Sequence, residues 1–290
     1  MKLLDPDTYL PLIELAYKED MGSGDITSQA TIPSDQQGSG QVVFRAEGIV
    51  CGIGIAQAVL RYYDKSLVIE KQFSDGMQVS SGHAVAAVEG SLRSILAAER
   101  VVLNFLQRLS AIATMTAQYV KAVQGTEARI CDTRKTTPGW RELEKYAVRC
   151  GGGYNHRHGL YDAVLIKDNH IAAMSGNDFS SGLVRAVQLL RDRKPQPQFI
   201  QVEVDNLQQL KIVLQVEGVD MVLLDNMTPD QLGRAVSLRN DLTEPVKVLL
   251  EASGNITLGN VRTIAETGVD RISIGALTHT VKNLDIGLDL

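Results

Sequence analysis

From about residue 129 to residue 275 the chain alternates short apolar runs with segments of helical periodicity, and no other feature constrains the fold as strongly. The runs are ARIC at 128–131, AVLI at 163–166, FIQVEV at 199–204, MVLL at 221–224, VKVLL at 246–250 and RISI at 271–274. Between them the spacing of apolar residues predicts helices near 141–150, 179–193, 206–216, 229–240 and 257–267. Alternating β and α units of this size form a parallel sheet, either doubly wound or rolled into a barrel. Each run also leads to or carries a polar residue or a glycine: Arg134 and Lys135, Lys167, Glu203, Asp225, Glu251 and Ser253, and Gly275. A barrel brings all its strand ends to one mouth, whereas an open sheet spreads them along an edge, so the pattern favours a barrel. Only six units are legible here, which predicts an incomplete α/β barrel with a gap to be covered.

The first 112 residues have a different character and predict a separate α+β domain. A helix is expected at 7–19 and another at 54–63, with strands at 41–51, 67–73 and 83–89. A long helix follows over 91–125, with Ser91 placed to cap it and Leu92, Leu96, Leu103 and Leu106 on one face. Glu99 falls on that face and Arg100 on its flank, where ionised groups are costly unless partnered. They form either a structural ion pair, or Arg100 reaches across a domain or subunit boundary into a site. The barrel is expected over 113–275, and the tail 276–290, too short to be a third domain, is expected to pack back on the first domain.

The amino terminus carries early acids and prolines instead of a signal-peptide core, and no apolar run has the length of a membrane span, so a cytoplasmic protein is expected. Cys51, Cys131 and Cys150 are widely spaced with no C-x-x-C pair, which argues against a disulfide framework or a thiolate zinc site and for buried thiols. His156 and His158 lie beside arginine, poor surroundings for a metal cation.

Cations concentrate in one segment. Arg129 to His170 holds eight Lys and Arg against five Asp and Glu, in a chain of net charge −5. A basic island in an acidic protein fits a small anionic ligand better than nucleic acid, which wants a broad basic face. Arg141, Lys145 and Arg149 recur at helical spacing and are expected to form a solvated face. Gly151–Gly153 follow directly, suited either to a helix C-cap or to close backbone approach by a ligand. The remaining candidates are Arg134, Lys135, His156, Arg157 and Lys167. Arginine forks bind carboxylates bidentately, so these residues suit a ligand with more than one carboxylate, with His156 as an additional donor. Glu203 and Asp225 suit ribose hydroxyls or a hydrated Mg²⁺ carried by a pyrophosphate. Ser253-Gly254-Asn255 and Ile274-Gly275-Ala276 close the last two strands with small residues whose N–H groups can hold a phosphate.

The segments EDMGSGDIT (19–27), AERVVLNFLQRLSAIAT (98–114), DTRKTTPGWRELEKYAV (132–148), GGGYNHRHGLYDAVLIKDNH (151–170), EVD (203–205), LLDNM (223–227), EASGNI (251–256) and SIGALTH (273–279) occur in this order and spacing. Over nearly its full length the chain thereby resembles the quinolinate phosphoribosyltransferases, also called carboxylating nicotinate-nucleotide pyrophosphorylases. The resemblance implies an N-terminal α/β sandwich domain followed by an incomplete α/β barrel, in a homodimer whose subunits share active sites, with higher assembly open. It implies transfer of phosphoribose from 5-phosphoribosyl 1-pyrophosphate to quinolinate with decarboxylation, giving nicotinate mononucleotide, pyrophosphate and CO₂ in de novo NAD biosynthesis. Magnesium would accompany the pyrophosphate near Glu203 and Asp225, with no organic cofactor, no nucleic acid and no membrane. Carried over by position, the quinolinate site falls on Arg134, His156, Arg157 and Lys167, with Arg100 arriving from the partner subunit. The phosphoribosyl pyrophosphate site falls on Glu203, Asp225, Ser253, Gly254, Asn255, Gly275 and Ala276. Lys135 lies beside both substrates, and with Glu203 and Asp225 it is the expected catalytic set.

Two other readings stand beside this one. A Schiff-base barrel lyase would use a strand-end lysine such as Lys167. Related sequences associated with molybdenum transport share the TRK and HR elements, whereas KDNH at 167–170 and the segment from Glu99 to Leu109 follow the enzyme pattern. Three residues depart from that pattern: Ala111 stands where glycine is expected, Trp140 where leucine is commoner, and His158 adds an imidazole with no expected role.

Overall fold

The computed structural model describes residues 4–174, 179–242 and 248–290. In chain order the first elements are α1 (Pro6–Met21), α2 (Ile26–Thr31), β1 (Gln37–Phe44), β2 (Gly48–Ile49), α3 (Ile53–Tyr63), β3 (Val68–Lys71), β4 (Gln78–Val79), β5 (Ala84–Ser91) and the 31-residue α4 (Leu92–Ala122). There follow β6 (Arg129–Cys131), α5 (Arg141–Cys150), β7 (Val164–Ile166), α6 (Asp168–Met174), α7 (Phe179–Arg191), β8 (Ile200–Val204), α8 (Leu207–Val213), β9 (Met221–Asp225) and α9 (Pro229–Asn240). The chain ends with β10 (Leu249–Ser253), α10 (Val261–Ala265), β11 (Arg271–Ser273), α11 (Ala276–His279) and β12 (Ile286–Asp289). The first two residues of the VKVLL run, Val246 and Lys247, lie outside the described residues.

The chain divides into two compact units. The first comprises the residues up to Ala117 together with Lys135–Gly153 and Ala276–Leu290, and the second comprises Gln118–Arg134 and Tyr154–Gly275. The units are not continuous in sequence: 135–153 and the tail from Ala276 group with the first unit. For 135–153 the cause is α5, whose Leu143, Ala147 and Cys150 are buried and whose Tyr146 hydroxyl donates to Asp75 Oδ2 at 2.7 Å. Asp75 lies in the turn between β3 and β4, so this strand connection anchors the helix to the first unit.

In the first unit an antiparallel sheet runs β12-β1-β5-β3, with β2 and β4 paired separately. The tail at 286–289 is therefore a strand, registered Val43 to Gly287 and Phe44 to Ile286. Ser91, the last residue of β5, sits in the capping position before α4 as the sequence predicts, its Oγ accepting the Ser94 N–H at 3.4 Å. The buried face of α4 carries Ile95, Val102, Leu103, Leu106 and Leu109.

The second unit holds six parallel strands in the order β6-β11-β10-β9-β8-β7. From β7 to β11 each new strand adds on the same side of the last, and β6, first in the chain, pairs with β11, the final one. That is the winding of a barrel, without the reversal point of a doubly wound sheet. Among the described residues no ladder joins β6 to β7, so the barrel is incomplete; Cys131 at the end of β6 forms an isolated bridge with Tyr154. Parallel strands covered on both faces need near-continuous apolar residues, and β9 is buried from Met221 to Leu224. No helix among the described residues is long and apolar enough to cross a membrane.

Candidate active site

Strand register gathers the polar strand ends of the second unit. Ser253 pairs with Asp225 on one side and Ser273 on the other, and Ser273 pairs with Cys131, so four strand ends form one row. Ile166 pairs with Val202, which puts Lys167 beside Glu203; Lys167 Nζ lies 3.1 Å from Glu203 Oε2. In the parallel sheet all these residues sit at the carboxyl edge, where barrels carry their chemistry.

Arg134 and Arg157 also belong to this unit. Arg157 is buried, and its guanidinium donates to the Ala163 carbonyl at 3.3 Å. Burial, and after it the positive charge of nearby Arg134, pull the Arg157 pKa below the ordinary guanidinium value. Asp162 opposes this shift, and a desolvated guanidinium that feels a second cation is a candidate for binding an anion.

His156 differs from expectation. Its Nδ1 accepts the Arg157 backbone N–H at 2.7 Å, which places the ring proton on Nε2. Nε2 in turn lies 2.8 Å from Gln201 Oε1 and 3.3 Å from Glu251 Oε1. Both ring nitrogens are engaged within the protein, so His156 shapes the loop that carries Arg157 instead of presenting a free donor to a ligand.

A layer of buried polar groups supports the mouth. Asp132 accepts the His156 N–H at 2.8 Å through Oδ1 and the Asn155 amide at 2.6 Å through Oδ2. Glu251 is fully buried, with Arg271 Nε 3.0 Å from its Oε2. Burial by itself would raise the Glu251 pKa; the hydrogen bond from His156 and the charge of Arg271 outweigh it and hold the carboxyl below its usual range. Burial pushes the Cys131 thiol up to about 12 despite Arg271, so it is no nucleophile. Side chains alternate along a strand, so Gln201 shares the inward face of Glu203, and Glu251 that of Ser253. That parity was available in FIQVEV and EAS; what singles out Gln201 and Arg271 is their burial.

The sugar-side residues are joined by asparagines. Asn226 donates through Nδ2 to Asp225 Oδ2 at 2.7 Å, its backbone N–H donates to Ser253 O at 2.9 Å, and its Oδ1 accepts from Asn255 Nδ2 at 3.0 Å. Asn226 and Asn255 both have φ +52°, and Gly254 has φ +96°. A Cβ on Gly254 would fall 2.1 Å from Asn226 Oδ1, so only glycine fits there. Left-handed backbone at two non-glycine residues beside strand ends is a mark of a functional loop. Asn226, within the LLDNM segment, thus links the Asp225 and Ser253 strand ends.

The other candidates lie in the first unit. Arg100 is exposed on α4 and makes no hydrogen bond or ion pair among the described residues, so the structural ion pair with Glu99 does not form. Lys135 is exposed, and its carbonyl accepts from buried Thr278 at 2.6 Å. Gly275 ends the second unit and Ala276 opens α11 in the first.

Two local expectations are revised. The supposed solvated face of α5 is not one: Lys145 is fully buried, and so is Glu144, which Arg108 Nη2 meets at 2.8 Å and to which the Thr137 N–H and hydroxyl donate at 3.1 and 2.8 Å. Helical spacing reports which residues share a face; burial of both faces of α5 in the first unit overrides the polarity of this one. Gly151–Gly153 resolve in favour of helix capping and packing. The Gly151 N–H donates to Ala147 O at 3.1 Å, and a Cβ there would fall 2.3 Å from the Ala113 carbonyl of α4. Trp140 stacks on Phe105 with ring centroids 4.8 Å apart, a packing role. At His158 the backbone N–H donates to Asp162 Oδ2 at 2.7 Å, in a turn Asp162 holds.

Comparison with known proteins agrees across the chain. Residues 25–110 match the quinolinate phosphoribosyl transferase N-terminal domain and residues 112–289 its C-terminal domain. The carboxylating nicotinate-nucleotide pyrophosphorylase of Mycobacterium leprae is 44% identical over 284 residues, covering 96% of this chain and 95% of that protein. The decarboxylating quinolinate phosphoribosyltransferase 1b of Nicotiana tabacum is 42% identical over 294 residues, covering 96% of this chain and 81% of that one. The solved nicotinate-nucleotide pyrophosphorylase from Francisella tularensis superposes with a TM-score of 0.89 at 38% identity, over 99% of this chain and 97% of that one.

Proposed function

The chain belongs to the quinolinate phosphoribosyltransferase family, and we infer from this that it transfers phosphoribose from 5-phosphoribosyl 1-pyrophosphate to quinolinate with loss of CO₂, the step that makes nicotinate mononucleotide in de novo NAD biosynthesis. The observation that supports the site assignment is the gathering of Lys167, Glu203, Asp225 and Ser253 at the carboxyl edge of the parallel sheet, in the unit that also holds Arg134 and Arg157. Guanidinium forks bind carboxylates bidentately, so two arginines with Lys167 suit a dicarboxylate better than a monocarboxylate.

Quinolinate is bound by Arg134, Arg157 and Lys167, and His156 acts by fixing the Arg157 backbone. Glu203 and Asp225 hold the ribose as pyrophosphate departs and positive charge develops at the anomeric carbon, where fixed carboxylates stabilise it. Asn226 and Asn255 orient Asp225 and the Ser253–Asn255 turn toward the phosphoribosyl group. The pyridine nitrogen then attacks, and once ribosylated it is cationic and stabilises the carbanion left as the adjacent carboxylate leaves as CO₂. No organic cofactor is required by this chemistry. The hard oxygens of Glu203 and Asp225 suit the magnesium ion that accompanies the pyrophosphate substrate. Lys135 and Lys167 act as electrostatic clamps. Lys167 is 46% exposed and ion-paired, not desolvated in an apolar pocket as a Schiff-base lysine would be.

Exposed and without an ion pair among the described residues, Arg100 completes the quinolinate site of a partner subunit in a homodimer. The assay that tests this function supplies quinolinate, 5-phosphoribosyl 1-pyrophosphate and Mg²⁺, with nicotinate as control acceptor. CO₂ and nicotinate mononucleotide should form with quinolinate, and no nucleotide with nicotinate. Equal turnover of nicotinate would overturn the dicarboxylate assignment.

A further inference from the structure

Cys51, at the entry to α3, and Cys150, the last residue of α5, are 99 positions apart in sequence, yet they meet in the first unit beside Asp75. One ligand atom from each of the three lies within 4.8 Å of the others; both thiols are buried and Asp75 is partly exposed. We propose that Cys51, Asp75 and Cys150 form a structural binding site for a zinc-class divalent ion, separate from the magnesium that accompanies the substrate.

Geometry, charge and access support it. A tetrahedral centre with metal–sulfur bonds of about 2.3 Å sets its sulfurs roughly 3.8 Å apart, so the ligand atoms need to close by about 1 Å at most. Asp75 is already oriented: the Ile53 N–H donates to Oδ1 at 3.0 Å and the Tyr146 hydroxyl to Oδ2 at 2.7 Å. An ionised carboxylate has lone pairs beyond those two bonds, and outer hydrogen bonds of this kind commonly aim a ligating carboxylate. The Cys51 backbone is fixed as well, its N–H donating to Ser110 Oγ at 3.0 Å and its carbonyl accepting from that hydroxyl at 3.2 Å. Two thiolates, a carboxylate and a divalent ion leave one negative charge; burial opposes the Cys51 thiolate, and the ion together with the nearby Arg149 guanidinium would have to offset it. Asp75 and Tyr146 also line a cleft of about 400 Å³ bordered by Ile53 and Lys71, so the carboxylate side of the cluster reaches the surface while both thiols stay buried. Mixed sulfur and oxygen donors select zinc over magnesium or calcium. The ion would bind the loop before α3, the β3–β4 turn and the end of α5 to one another.

The test uses the full-length chain after chelator treatment, titrated first with Co²⁺ as a spectroscopic probe and then with Zn²⁺. One Co²⁺ per chain should bind with sulfur-to-cobalt charge-transfer absorption, Zn²⁺ should displace it, and Tm should rise with Zn²⁺ concentration. Cys51→Ser and Cys150→Ser should each weaken binding by more than the roughly 10- to 100-fold that loss of an outer partner costs, and Cys131→Ser should leave it unchanged. If the serine variants fail to fold, the wild-type spectrum still decides, with Zn²⁺ protection of Cys51 and Cys150, but not Cys131, from alkylation locating the ion. Cobalt bound without a sulfur band, no binding, protection confined to Cys131, or a metal-free chain in which Cys51 and Cys150 are joined as a disulfide would each overturn the proposal.

Discussion

Lys167 Nζ sits 3.1 Å from Glu203 Oε2, so a cation assigned to quinolinate and a carboxylate assigned to ribose neutralise one another across adjacent strands. On the proposed assignment the pair would join the two halves of the site, and arrival of either substrate would change the charge seen by the other.

Lys167→Met should lower stability modestly, by about 1 kcal/mol or somewhat more, because Lys167 is 46% exposed but the Glu203 side chain it pairs with is only 12% exposed and would be left unpaired. It should lower kcat/KM for quinolinate about 100-fold and also alter the KM for 5-phosphoribosyl 1-pyrophosphate. In a double-mutant cycle with Glu203→Gln the effects should be non-additive. Strict additivity in steady-state kinetics would show that the two residues act separately.

Arg157→Ala should weaken quinolinate binding by about 100-fold, roughly 2.7 kcal/mol. The unliganded protein should lose only modest Tm, because the lost packing and the lost hydrogen bond to Ala163 are partly offset by relief of the repulsion with Arg134. Calorimetric titration with quinolinate alongside thermal melts separates the two effects. A large loss of Tm with unchanged affinity would make Arg157 a folding residue.

Glu251 should make the fold acid-sensitive. Its folded-state pKa is depressed, so the stabilisation is complete above the unfolded glutamate value of about 4.3 and is lost as pH falls through the lower folded value. Glu251→Gln removes this dependence and leaves Arg271 buried opposite a neutral group, costing about 3–5 kcal/mol at neutral pH. Urea unfolding of both proteins across this acid range should show stability falling more steeply with acid in the wild type; parallel curves would contradict the assignment.

His156→Ala should reduce both stability and kcat/KM, since its ring bridges Gln201, Glu251 and the Arg157 N–H. Leaving those groups unsatisfied costs about 1–3 kcal/mol each. If His156 positions Arg157 without touching quinolinate, the pH dependence of kcat/KM should keep its wild-type shape at reduced amplitude. Loss of a limb of the pH profile would instead show a proton donated to substrate.

Mixing Arg100→Ala with Lys135→Ala chains should recover activity from two inactive proteins. In a two-fold dimer with shared sites each mixed pair rebuilds one intact site, so random exchange restores about a quarter of wild-type sites. Activity that stays at zero after verified subunit exchange would place Arg100 outside the partner's site.

The β/α rhythm from residue 129 onward determined the parallel sheet, because burial on both faces demands apolar runs of strand length. Ordered polar residues at the ends of those runs determined most of the mouth, since parallel strands put all their carboxyl ends on one edge. What sequence periodicity misjudged was the environment of each face. The polar stripe at Arg141, Lys145 and Arg149 has the spacing of a solvated helix surface, yet Lys145 is buried, because covering a face depends on what packs against it from distant parts of the chain. The small elements β12 and α6 carry too few residues for a periodic signal, and pairing with β1 is what makes β12 a strand. Sequence proximity of His156 and Arg157 suggested two ligand contacts; only the tertiary structure turned one ring inward to Glu251 and Gln201 and left the guanidinium beside Arg134. Only folding brings Cys51 to Cys150. Chemical identity and local rhythm are written along the chain, whereas burial and long-range partners arise when separate segments compete for the same space.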